Sequence, residues 1–142
     1  MTKKKNILGT DLIECNSINN LYDSSINGFC NEPGDGYHNI CIKMNPFVSK
    51  NFSQLTGQSD WSESKKGNNH CICQGAWANY IAKLKEKGLY KELPNNILNC
   101  EAIPEEVLTD HKHAFKTWNN ITKLDQDTHG IQEIIKQCNL NI

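Results

Sequence analysis

Apolar residues in this chain fall into short runs separated by long polar stretches. Asn39-Ile40-Cys41-Ile42-Lys43-Met44 alternates and is β-branched, which predicts a strand. Ile40, Ile42 and Met44 then lie on one face, Cys41 and Lys43 on the other. Pro46 ends the strand, and residues 46–55 have room for a short helix. His70-Cys71-Ile72-Cys73 predicts a second strand, with Cys71 and Cys73 on one face and Ile72 on the other. Gly75 lets the chain turn. From Ala76 the period becomes helical: Trp77, Tyr80, Ile81 and Leu84 form one stripe, and Lys83, Lys85, Glu86 and Lys87 lie opposite. Gly88 is the expected C-terminal cap. Ile97-Leu98-Asn99-Cys100 reads as a third strand. Ile103 to Leu108 reads as a short helix opened by Pro104, with acids in its first turn. A last helix is predicted from near Asp127 or Thr128, with Ile131, Ile134, Ile135 and Cys138 on its apolar face.

Between these elements the chain is polar. Asn6-Ile7-Leu8, stopped by Gly9, reads as an edge strand or an ordered arm. Residues 11–37 carry the turn chemistry of Asn27-Gly28 and Pro33-Gly34-Asp35-Gly36. So long a loop in a compact domain needs pins, and Leu12, Ile13, Cys15, Tyr22, Phe29 and Cys30 are the candidates. Residues 56–69 form a polar loop whose one large apolar residue is Trp61.

A length of 142 residues suits one domain, 1–142, able to hold a core without staples. Its mean hydropathy of −0.62 points to a small core and long loops. The net charge of −1 gives no one-sided basic surface for nucleic acid or an anionic membrane. Residues 6–11 are no signal-peptide apolar region, and no run approaches the length of a spanning helix. These features predict a soluble, cytoplasmic protein whose partner is a small molecule or another protein. Seven cysteines are many for such a chain. In a reducing compartment they are read as thiols, metal ligands or redox groups before disulfides, with buried thiols as the default.

The cysteines and their histidines are the candidate chemistry. Cys71 and Cys73 share a strand face in this reading, His70 flanks them, and His38 lies three residues before Cys41. Cys71-x-Cys73 is not the usual zinc spacing. Two thiols on alternate strand residues can still face a common point, so zinc is a candidate ligand for Cys30, His38, Cys41, His70, Cys71 and Cys73. Cys71 or Cys73 with His38 or His70 as base is a candidate for a catalytic nucleophile, and the Cys-x-Cys pair for a redox site. Glu32, Asp35 and His38 lack the ligand spacing of a calcium loop and read as a turn. His111 and His113, followed by Phe115 and Trp118, read as a helix or turn surface. The commonest nucleotide-binding and metalloprotease motifs are absent.

Several of these pieces resemble one family. Asn6-Ile7-Leu8-Gly9 resembles the N-V-L-G opening of the mostly bacterial "domain of unknown function 2237" family, with Cys15 as the cysteine that follows. Phe29-Cys30 falls at that family's Cys-Cys pair. Asp35-Gly36-Tyr37-His38-Asn39-Ile40-Cys41 is similar to its G-x-H-x-V-C run. Cys71-Ile72-Cys73 with Trp77 is similar to its W-C-L-C-x-x-x-W. The likeness spans residues 6–110, with His70 standing where the family has tryptophan and Phe29 where it has a cysteine. It implies a small α+β domain without a defined activity or cofactor, and it groups Cys30, His38, Cys41, Cys71 and Cys73 in space.

Together these readings predict an α+β domain: a small, mainly antiparallel sheet, helices packed on one face, a loop-rich N-terminal third, and a helical extension over 111–142. A binding or interaction domain is the leading functional expectation. The alternative is a thiol- or metal-dependent enzyme that uses Cys30, His38, Cys41, Cys71 and Cys73.

Overall fold

A computed structural model describes residues 4–16, 28–31, 37–109 and 122–141. Tyr22, the Glu32/Asp35 turn, and His111, His113, Phe115 and Trp118 lie outside the described residues. The described elements are strand β1 (Ile40–Lys43), helix α1 (Pro46–Leu55), strand β2 (Asn69–Ile72), helix α2 (Gln74–Glu86), the short helix α3 (Glu106–Thr109) and helix α4 (Gln126–Gln137). The architecture is a small α+β fold with a two-stranded antiparallel sheet.

The register pairs Ile40 with Ile72, Cys41 with Cys71, Ile42 with His70 and Lys43 with Asn69. Directly opposed residues share a face, so Cys41 and Cys71 stand side by side on one surface. Ile40, Ile42, Ile72 and His70 take the other. The expected third strand shrinks to one bridge, Ile42 to Leu98, on the free edge of β1. Only two ladder bonds form there, Lys43 N to Ile97 O at 2.6 Å and Asn99 N to Cys41 O at 3.0 Å. Cys100 then enters a 3-10 turn that ends the pairing.

Helix α1 begins where Asn45 caps it, its side chain accepting from Val48 N at 2.8 Å, with Pro46 pre-set for the first turn. Helix α2 carries the predicted stripe: Trp77, Tyr80, Ile81 and Leu84 are all fully buried. It ends in a Schellman motif. Gly88 takes the left-handed φ of 73°, its N–H donates to Lys85 O, and Leu89 N–H reaches Leu84 O. Burial pushes the Tyr80 hydroxyl far above its ordinary pKa, while its bond to Asn51 Oδ1 at 2.6 Å opposes that rise.

Helix α4 starts one or two residues before the predicted point, because Asp125 caps it by accepting from Thr128 N and Thr128 Oγ1. It packs along α2. Gly130 lets the helices approach, and its carbonyl accepts from Trp77 Nε1 at 3.0 Å. Ile134 and Cys138 are buried as predicted, whereas Ile131 and Ile135 are half-buried and Glu133 goes inside. Glu133 is held there by Tyr90 Oη and by Gln137 Nε2. Helix α3 is shorter than predicted. Pro104 instead bridges Asn6, so the N-terminal arm is stitched to residues 101–105. Asn6 organises that arm: its Oδ1 accepts from Leu8 N and Thr10 N, and its Nδ2 reaches Glu101 O. Of the predicted pins, Leu12, Cys15 and Cys30 are buried, Phe29 is half-buried and Ile13 is exposed.

At the α2–α4 seam, Lys85 Nζ lies 2.8 Å from His129 Nδ1. Burial, and then the Lys85 charge, hold the imidazole below its ordinary 6.5, with Asp125 opposing. The folded state therefore favours neutral His129, and the unfolded chain takes up its proton more readily. This contribution is present above the ordinary value and is lost as pH falls through the folded one. Melting temperature should thus fall between about pH 7.5 and 5.5 more steeply for the wild type than for His129→Gln. Equal slopes in the two proteins would remove His129 as the cause.

Candidate functional site

The predicted cysteine–histidine cluster divides in two. Six of the seven cysteines are paired as disulfides: Cys15–Cys41, Cys30–Cys71 and Cys100–Cys138. This corrects the expectation of buried thiols. The opposed pair Cys41 and Cys71 do not bond to each other. Each bonds a cysteine that precedes the strands, Cys15 or Cys30, and Asn69 Nδ2 of β2 also donates to Cys15 O at 3.0 Å.

The second correction concerns Cys73. The strand ends at Ile72, so Cys73 lies just past it rather than on it. Cys73 is the N-cap of α2, with extended φ and ψ of −72° and 148°. Its sulfur accepts from Ala76 N at 3.4 Å. It is the one cysteine outside the disulfides, and it is half-buried. Helix α2 is 13 residues long, so the positive end of its dipole and the Ala76 N–H, which has no partner within the helix backbone, face this sulfur.

Cys73 lines a cleft of about 230 Å³ with His38, His70, Trp61, Gln58 and Lys65. Each wall has a local cause. His38 is carried by the turn before β1. There Tyr37, at a left-handed φ of 49°, accepts with its carbonyl from Asn39 N (2.7 Å) and Gln74 N (3.0 Å). That carbonyl straps the turn to the start of α2. His70 comes from β2, where its ring stacks on Trp61 at 4.7 Å between centroids. Trp61 also packs edge-on against Phe52 at 5.6 Å and donates from Nε1 to Gln58 Oε1 at 3.1 Å. A serine network anchors its loop: Ser53 Oγ accepts from Ser62 N and Trp61 N, and Ser62 Oγ donates to Ser49 O.

His38, His70 and Cys73 are therefore brought together in one cleft, which Cys71 also lines. Cys30 and Cys41 belong to the disulfide face. Sequence reasoning missed Gln58 and Lys65 as lining residues. Trp61, the large apolar residue of a polar loop and a candidate contact surface by sequence, lines the cleft as well. Among the described residues no helix is long and apolar enough to cross a membrane. No family model, curated protein or solved structure matches the chain. The cleft must therefore be read from its own chemistry.

Proposed function

We propose that this chain is a small ligand-binding domain whose cleft works through the Cys73 thiol. The observation that carries this reading is the position of Cys73, outside the disulfides and on the N-terminal cap of α2, in the cleft that His38 and His70 also line. A helix N-terminus favours thiolate over thiol. Trp61 adds a flat apolar wall and Lys65 a cation. The matching ligand is a small molecule with a planar or apolar body, a polar or anionic group, and a centre that a thiolate can contact. The sulfur accepts the backbone N–H of Ala76 at 3.4 Å, which holds it at the helix N-terminus on the wall of the cleft.

The resemblance to the "domain of unknown function 2237" family stays a proposal. What supports it is that Ile40-Cys41 and Cys71-Ile72, one from each of its two runs, lie on the paired strands beside this cleft. It brings no activity with it. For localisation, three disulfides favour an oxidising compartment over the cytoplasm expected from the sequence.

The test is alkylation of Cys73 by iodoacetamide as a function of pH, in native protein. The expected rate profile has its midpoint below the ordinary thiol value of about 8.5. Small-molecule hits from a thermal-shift screen should be lost once Cys73 is alkylated. A midpoint at or above the ordinary value, together with hits indifferent to alkylation, would overturn the reading.

A further inference from the structure

The second half of the divided cluster has chemistry of its own. The sulfurs of Cys15, Cys30 and Cys71 all lie within 4.8 Å of one another. The sulfur of Cys41 is bonded to that of Cys15, so four sulfurs form one knot. We propose that, when reduced, Cys15, Cys30, Cys41 and Cys71 form a tetrathiolate site for a soft divalent cation, with zinc the best match. This inference is independent of the Cys73 cleft. It replaces the mixed cysteine–histidine site expected from the sequence.

Four observations support it. The donor set is all thiolate, which selects zinc over magnesium or calcium. Tetrahedral zinc with bonds of about 2.3 Å places its sulfurs about 3.8 Å apart, and the sulfurs of Cys15, Cys30 and Cys71, two of them disulfide-bonded, already lie within 4.8 Å of one another. The scaffold is prepared: Cys41 and Cys71 are opposed across a paired ladder, and the bonded partners' Cα atoms lie only 5.7 and 5.3 Å apart. The backbone of the loop ligand Cys15 is also held without the disulfide, by its N–H to Gly28 O at 2.8 Å and by Asn69 Nδ2 to its carbonyl at 3.0 Å. All four residues are buried, as in the closed coordination shells of structural zinc sites.

The chemistry balances without an unnamed partner. A phosphine reductant and water convert each disulfide to two thiols and a phosphine oxide. The four thiols then bind one divalent cation and release four protons. Disulfide bonding and metal binding are thus mutually exclusive states of the same four sulfurs, and the environment decides between them.

The experiment reduces the full chain with a phosphine under anaerobic conditions and titrates it with cobalt(II). It then measures zinc competition against a colorimetric chelator. The expected result is one cobalt per chain, an intense thiolate-to-cobalt charge-transfer band, the visible bands of tetrahedral cobalt, and displacement by one equivalent of zinc. Circular dichroism should show that the metal restores or preserves the fold. Cys41→Ser and Cys15→Ser should each weaken the visible bands and lower zinc affinity by at least tenfold. A reduced chain that gives no tetrahedral bands overturns the proposal. So does a spectrum that survives Cys41→Ser unchanged, or one that disappears with Cys73→Ser, which would move the metal into the cleft. Failure here leaves the alkylation test of Cys73 untouched, so the two readings fall separately.

Discussion

Replacing Trp77 with alanine is expected to cost about 3–5 kcal/mol of folding free energy, in the range of buried aromatic truncations. Trp77 is fully buried at the centre of the α2 stripe. Its indole also donates to Gly130 O across the α2–α4 seam, so the substitution removes both packing and a buried donor's partner. Little nearby can collapse into the space, because the facing residue is a glycine in a helix. Against a typical total of about 5–15 kcal/mol for a domain, the loss is large enough to read in urea denaturation. Trp77→Phe keeps most of the volume and should lose less. A Trp77→Ala cost below about 1 kcal/mol would mean that the seam is not close-packed as described.

That seam was partly legible in the sequence. The stripe of Trp77, Tyr80, Ile81 and Leu84 follows from a helical period that holds over more than two turns, and Gly88 was the natural stop. Residues 46–55 read as room for a short helix, but the Asn45 cap that starts α1 was not read. What could not be read was what met the stripe. Gly130 offers no apolar signal, and Glu133 reads as a surface acid. Its burial depends on Tyr90 and Gln137, which arrive from elsewhere in the chain and helix.

Cys73 shows a subtler failure. An N-cap residue has extended dihedrals, as a strand residue does, so its local preference could not separate the last position of β2 from the first of α2. That one position decides whether Cys73 ends a strand or caps a helix. The cleft around it depends on the stack of Trp61 on His70, a contact set by the serine-anchored loop and carried by no local periodicity. The disulfides were hidden for a different reason. Six cysteines allow 15 pairings, and sequence spacing does not choose among them. Reading the chain as cytoplasmic set disulfides aside before pairing could be considered.

The third pair yields the second large effect. Removing the Cys100–Cys138 bond with Cys100→Ala and Cys138→Ala together should destabilise the oxidised protein by about 4 kcal/mol on the chain-entropy account. The two cysteines are 38 positions apart, so the bond closes a long loop that an open unfolded chain would be free to explore. It also ties the end of α4 to the 3-10 turn beside β1. Ile134 of α4 and Cys138, its C-cap, are part of the core. The same helix is held by Trp77, so the two losses should not add. Once Trp77→Ala has loosened α4, the disulfide has less docked structure to preserve, and the triple variant should lose less than the sum. Additive losses would instead indicate that the disulfide acts only on the unfolded chain, with α4 docked by other contacts. A cost below about 0.5 kcal/mol for the cysteine pair would show that neither the loop closure nor the docking of α4 depends on it.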